Sequence, residues 1–518
     1  MTAKLANAPL FTGSDWDFGL INRIYETIEP IALKEMKLDI YPNQIEIISA
    51  EQMLDAYSSI GMPLFYKHWS FGKQFVTNEM MYRKGLRGLA YELVINSDPC
   101  INYLMQENSA TMQTLVIAHA AFGHNHFFKN NYVFKQWTDA EGILDYLEFA
   151  KRYIAQCEER YGQLPVERVL DAAHALMNQG VHRYPRIRPR DLKSEAAREA
   201  ERQAYRDRIY DDLWRTIPVG AKADAVPGDA RREALGLPQE NILYFLEKTG
   251  PRLESWQREI LRIVRLIAQY FYPQRQTKAM NEGCATFTHY RIMTMLHERG
   301  WITDGAFMEF IQSHTGVVYQ PTYDSGHFGG FNPYALGFGI MSDIERICNE
   351  PTEEDREWFP EIAGADDVMG VLKDIWANYR DESFVSQFLS PHLIRQWRLF
   401  KIMDQAGESE LRVDAIHDER GYRRIRRALA REYDIGRQEP DIQVVDVDLA
   451  GDRRLIVEHS VMDGVPLDTA DAAMVLQNLA NLWGYEVVLR EVDRETGKEL
   501  KSHSGQPNPG WLRLIFGR

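Results

Sequence analysis

Over residues 15 to about 184, apolar side chains recur at three- and four-residue steps, and that period predicts a run of helices. The stretches WDFGLINRIYETIEPIALKEM, EQMLDAYSSIG, NEMMYRKGLRGLAYELVIN, TMQTLVIAHAAFGHNHFF, DAEGILDYLEFAKRYIAQCEERYG and VERVLDAAHALMNQG carry it, the last closed by Gly180. YPNQIEII, residues 41–48, reads instead as a short strand. From about 185 to 240 large apolar residues thin out and both charge signs crowd together, which predicts an exposed insertion. The helical period returns in NILYFLEKTGPRLESWQREILRIVRLIAQYFYPQ and TKAMNEGCATFTHYRIMTMLHERG, before a loop rich in Gly, Tyr and Pro. After about residue 405 come a basic helix, YRRIRRALAREYD, the strand-like DIQVVDVDL and RRLIVEHSV, the helix DTADAAMVLQNLANLWG and the strand YEVVLREVD. The pattern predicts a mainly α fold: a large helical domain over 1–404 with its insertion, and a small α+β domain over 405–518.

Composition narrows the function classes. The chain has 518 residues, enough for two or three domains, and 45% of them are hydrophobic, so it buries its own cores. The 60 basic residues face 75 acidic ones, a net charge of −15 that disfavours nucleic acid and anionic lipid as partners. No run approaches the roughly 20 apolar residues of a membrane span, and the start lacks a signal-peptide core, so a cytoplasmic protein is expected. Cys100, Cys157, Cys284 and Cys348 are far apart and form no CxxC, which points to buried thiols.

Of 14 histidines, three crowd into IAHAAFGHNHFFKNN: His119, His124 and His126. On a regular helix His119 and His126 lie about 20° apart, and His124 about 140° from His119, so the three cannot aim at one point. The spacing of five between His119 and His124 suits a π-bulge or a helix ending near Gly123. In TKAMNEGCATFTHYRIM, Glu282 and His289 are seven apart and share a helix face, with Asn281 or Thr277 as possible caps. Together these residues make a His/His/Glu set suited to a divalent metal, zinc first, with iron or manganese as the other choices. The alternative is a buried Glu282 paired with Arg262 or Arg265. Asp171 and His174 in LDAAHAL have the three-residue spacing of helix-bundle metal sites, or Asp171 could orient a ligand histidine. Glu92 and Glu107 are further carboxylates on apolar backgrounds, either able to act as a base. GxSxG, GxxxxGK[ST], GxGxxG after a strand and HExxH are all missing, and GHFGGFN at Gly326 lacks the lysine of a phosphate loop.

Several long stretches, GHNHFFKNN, LDAAHAL, PQRQTKAMNEGCATFTHYRIM, NPYALGFGIMSDIER and YRDESFVSQFLSPHLIR among them, resemble the SpoVR family over roughly residues 14–500. In spore formers that resemblance implies a link to the spore cortex, a peptidoglycan layer. Elsewhere it implies a stress role beside a PrkA-type serine kinase and a von Willebrand-type protein. MNEGCATF is also similar to the NEGFA segment of gluzincin peptidases, which implies a zincin-like or helix-bundle core and makes Glu282 the third ligand with His119 and His124. The peptidase's base glutamate is absent, because Ala120, Ala121, Phe122 and Gly123 separate the two histidines. Glu92, Glu107 or Asp171 must then activate water, with His289 as an oxyanion donor or a further ligand, and His126 and His174 as outlying ligands. The leading expectation is a metal-dependent hydrolase of an amide bond in a peptide or cell-wall precursor. The alternatives are a non-enzymatic partner of the kinase and a helix-bundle metal oxidoreductase using Asp171, His174 and a second carboxylate.

Overall fold

Helices dominate the structure, as the apolar period predicts, and the small C-terminal domain carries a sheet. This computed structural model describes residues 8–58, 66–83, 91–183, 235–321, 329–399, 401–403, 412–415, 417–448, 451–462 and 464–516. The charged insertion expected at about 185–240 lies outside the described residues but for 235–240, as does the start of the glycine-rich stretch at Gly326. The chain forms two compact units that alternate along the sequence: residues 1–149 with 273–434, and 150–272 with 435–518.

In the first unit, α1 (Phe18–Pro30) starts at Asp17, whose carboxylate accepts from the Leu20 N–H at 2.6 Å, and it buries Leu20, Ile21, Ile24 and Ile28. A three-stranded sheet follows from β1 (Asn43–Ile48), β2 (Glu92–Ile95) and β3 (Cys100–Met105), in the order β1-β3-β2. β1 runs parallel to β3 and β2 antiparallel to it, with Glu92 opposite Leu104. The strand expected at 41–48 is present. NEMMYRKGLRGLAYELVIN, expected to be helical throughout, is helical through Arg83, its residues 84–90 lie outside the described residues, and its ELVI is a strand. A four-residue apolar run fits either period, and pairing with the fully buried β3 decides it.

The rest of the unit is helical. α2 (Ala110–Ile117) has every residue buried and is capped by Ser109, then runs through a π-helix (Ala118–His124) into α3 (Asn125–Asn130). α4 (Lys278–Glu298), α5 (Asp304–Val317), α6 (Pro333–Asn349) and α7 (Asp381–Phe388) complete the frame around the site. α4 lies between two neighbours at closest range: a Cβ on Gly123 would stand 2.5 Å from the Ala285 Cα, and one on Gly283 would stand 2.6 Å from Gly337. Phe122, Phe127, Phe287, Phe310, Phe384 and Trp376 fill this core without solvent contact.

In the second unit, β4 (Ile442–Val447), β5 (Leu455–Val461), β6 (Val487–Asp493) and β7 (Glu499–Gly505) form one sheet in sequence order. β5 and β6 are parallel, and α8 (Thr469–Trp483) makes the crossover, ending at Gly484 with φ +83°. Alternate residues of β5 are buried, the period-two pattern of RRLIVEHSV. Glu247 is buried here against Arg262, Arg265 and Lys248, so the two arginines considered for Glu282 serve Glu247.

Candidate metal centre

The π-helix is the local feature that builds the site. The Asn125 N–H donates to the Ala120 carbonyl, five residues back, which widens the turn by one residue. Ala118, Ala120, Ala121 and Gly123 put little bulk on that turn, so α4 can lie against it at Ala285. Residues five apart thereby come onto one face, and the His119 and His124 rings stand 4.6 Å apart between centroids. Asn43 holds the widened turn from the sheet. Its amide donates to the Ala121 carbonyl at 2.9 Å, and its oxygen accepts from Asn102 at 2.9 Å and Asn125 at 2.8 Å.

Two carboxylates meet the two imidazoles. Glu92 on β2 places an oxygen 3.6 Å from His119 Nε2. Glu282 Oε2 lies 3.9 Å from His119 Nε2 and 3.6 Å from His124 Nε2. Among the described residues, Glu92, His119 and His124 form a group whose ligand atoms all lie within 4.8 Å of one another. Ligands bonded at 2.0–2.2 Å to a tetrahedral ion stand roughly 3.4 Å apart, so these spacings are close to those of a metal shell.

The far side of each ring is occupied. His124 Nδ1 lies 2.9 Å from Asn281 Oδ1, an oxygen that can only accept, so the proton sits on Nδ1 and the Nε2 lone pair faces Glu282. His119 Nδ1 lies 2.9 Å from His289 Nδ1, and His289 Nε2 lies 3.0 Å from His314 Nδ1. Donation in one direction along this chain leaves His119 Nε2 free toward both carboxylates. Orienting partners on the outer nitrogens are what ligand histidines require.

Burial sets the electrostatics. It holds the His119 and His289 imidazoles well below their usual range, with neighbouring histidines adding to the effect, and brings His314 down to about 4. The Glu92 carboxyl is pushed up to about 8, by burial first and by Glu282 second. Among the described residues no Lys or Arg pairs with Glu92 or Glu282, and Glu282 Oε2 accepts no hydrogen bond. Two partly buried carboxylates side by side are costly without a cation, and a divalent ion offsets them. The donor set therefore fits a divalent metal. The carboxylates keep some solvent contact, with side-chain exposures of 15% and 17% against 4% and 8% for His119 and His124, so the site opens on the carboxylate side.

The SpoVR like protein family model matches residues 15–438, and the SpoVR-like C-terminal domain model matches residues 440–494. The chain belongs to the SpoVR family. It is 51% identical over 491 residues, 95% of each chain, to the Escherichia coli (strain K12) protein named Uncharacterized protein YcgB. No solved structure matches it. No described helix is long and apolar enough to cross a membrane, and all four cysteines are buried free thiols.

In this SpoVR chain the structure brings His119, His124 and Glu92 together, places Glu282 beside the two imidazoles and sets His289 directly behind His119. Both His289 nitrogens are taken by His119 and His314, which leaves none for an oxyanion. His126 turns away from the cluster, because it lies beyond the π-turn: its Nδ1 accepts from the Asp39 N–H at 3.0 Å, and its ring meets Trp376. Glu107 is exposed just past the end of β3, where it accepts from the Ala50 N–H at 3.4 Å. Asp171 and His174 lie on the helix Gln163–Ala175 of the second unit, whereas every residue of the cluster belongs to the first. Sequence reasoning missed His314 and Asn43, and took Asn281 only for a cap. The capping is done by Asp381, whose two oxygens accept from the Ala279 and Met280 N–H groups at 2.8 Å each.

Proposed function

We propose that this chain is a metal-dependent hydrolase of amide bonds, with a divalent ion held by His119, His124 and Glu282 and with Glu92 beside it as the base. The observation that carries the reading is the pair of buried imidazoles turned Nε2-first toward two carboxylates that no Lys or Arg among the described residues offsets. Zinc suits two imidazoles and a carboxylate best, and iron or manganese accepts the same donors. A bound ion supplies Lewis acidity that polarises an amide carbonyl and acidifies a water.

The remaining work falls to side chains of the chain itself. Asn281 and His289 hold the imidazoles in the ligating tautomer. Glu282 binds the ion and Glu92 accepts a proton from water. Glu92 is the better base, since burial tunes its carboxyl toward neutral pH. The base of this zincin-like chemistry thus comes from a strand, in place of the helical glutamate that the spacing from His119 to His124 lacks. Substrate enters from the carboxylate side. The family's association with spore cortex supports a peptide or cell-wall-precursor amide as the bond cleaved.

Incubation with N-acylated peptides and peptidoglycan fragments tests this reading. New amino groups should appear, be suppressed by a chelator, return with zinc, and fall about 100-fold or more in Glu92→Gln. Cleavage that survives chelation or that substitution contradicts it. Stoichiometric iron with oxygen consumption and no amide cleavage would assign an oxidoreductase instead.

A further inference from the structure

A cavity of about 460 Å³ opens on the face of the three-stranded sheet that points away from the metal centre. Glu46 of β1 stands opposite Tyr103 of β3, and Glu92 of β2 stands opposite Leu104, so alternation along β3 puts Tyr103 and Glu92 on opposite faces. Glu46 and Tyr103 line the cavity from the sheet, Glu51 and Asp55 from the helix Ala50–Ser58, and Phe75 from the helix Trp69–Arg83.

The charges here do not balance. Three carboxylates line the cavity and, among the described residues, no Lys, Arg or His does. Glu46 is held only by the uncharged Gln44 amide, which donates to its Oε1 at 2.6 Å, and the Glu51 side chain has no partner among the described residues. Glu51 is exposed and Glu46 half-buried, so a ligand reaches both. Tyr103 is an independent sign of a ligand. It is 9% exposed, yet among the described residues its hydroxyl is neither hydrogen-bonded nor sealed off from the cavity that it lines. Burial raises the pKa of that hydroxyl and the neighbouring Glu46 adds to the effect, so it stays neutral, with a lone pair open to a donor.

An anion is repelled from such a lining. A single metal ion does not fit it either, since among the described residues the carboxylates and imidazoles close enough to share one are those of Glu92, His119 and His124. A cation whose charges are spread along an organic chain does fit: separate ammonium groups meet separate carboxylates, and the methylenes between them lie on aromatic rings. The volume falls within the range of ligand pockets. We propose that this cavity binds a linear polyamine, with ammonium groups on Glu46 and Glu51, one of them donating to the Tyr103 hydroxyl, and with methylenes against Phe75. This goes beyond the hydrolase reading and does not depend on it, since no residue of the metal centre lines the cavity.

Isothermal titration of the full-length chain with spermidine at physiological salt tests the proposal. Spermidine should bind saturably, about tenfold or more weaker in Glu46→Gln/Glu51→Gln and about threefold or more weaker in Tyr103→Phe. Affinity should be unchanged in Glu353→Gln/Glu357→Gln, which removes two exposed charges that do not line the cavity. If the first pair fails to fold by circular dichroism, Glu51→Gln alone, at an exposed helix position, decides the matter by a loss of about threefold or more. No saturable binding, affinity unchanged in the folded lining variants, or an equal loss in Glu353→Gln/Glu357→Gln, the mark of diffuse attraction to an acidic chain, would each overturn it.

Discussion

Asn281 fixes which nitrogen of His124 faces the carboxylates, so a single amide oxygen governs the site's chemistry. Asn281→Ala should leave the fold in place and lower zinc affinity about 10–100-fold, read by competition with a chromophoric chelator. Unchanged affinity would show that the amide orients nothing. His314, at the far end of the histidine chain, makes a different prediction. Its folded-state value of about 4 lies below the roughly 6.5 of an unfolded histidine, so between those values the unfolded chain binds the extra proton. Stability therefore falls as pH drops through that window, by up to about 3 kcal/mol from this residue. The urea midpoint should fall less between pH 7 and pH 5 in His314→Gln than in the wild type, and equal falls would contradict the assignment. The histidines and Glu282 were legible in the sequence because such residues are conspicuous in apolar surroundings. His314 was not, since a lone histidine on a helix carries no spacing signal.

At the scale of elements, the π-helix turns an awkward spacing into a site. Its position could be anticipated from the five-residue separation of His119 and His124, but the close approach that stabilises it could not. Gly123→Ala drives a methyl into the Ala285 backbone and should destabilise the protein by about 1–3 kcal/mol, with a lower Tm and weakened metal binding. An unchanged Tm would mean that α4 does not rest on this turn. Gly337 is under the same constraint, since its Cβ would meet the Ala279 carbonyl. Strand β2 shows where reading by period stops. ELVI is too short to separate helix from strand, and Glu92 reaches the histidines only because β2 pairs with β3, a contact that local pattern does not encode.

At the scale of the whole molecule, the alternation of the two units was hidden, because hydrophobic periodicity reports elements and not which distant segments share a core. The second unit depends on that sharing. Trp483 is fully buried and packs on Phe245, the Gln239 and Val444 backbones pair in both directions, and buried Arg183 donates to the Glu439 and Pro440 carbonyls. A fragment of residues 435–518 should consequently show red-shifted tryptophan fluorescence and no cooperative thermal transition. A cooperative melt from that fragment alone would contradict this dependence. The first unit carries the central claim, that His119, His124 and Glu282 hold a divalent ion with Glu92 beside it. Elemental analysis of full-length protein, purified without a histidine tag or chelator, measures it directly. The account predicts about one divalent metal per chain, lost in His119→Ala/Glu282→Ala. Wild-type protein without metal, or a double variant that keeps its metal in full, would contradict it.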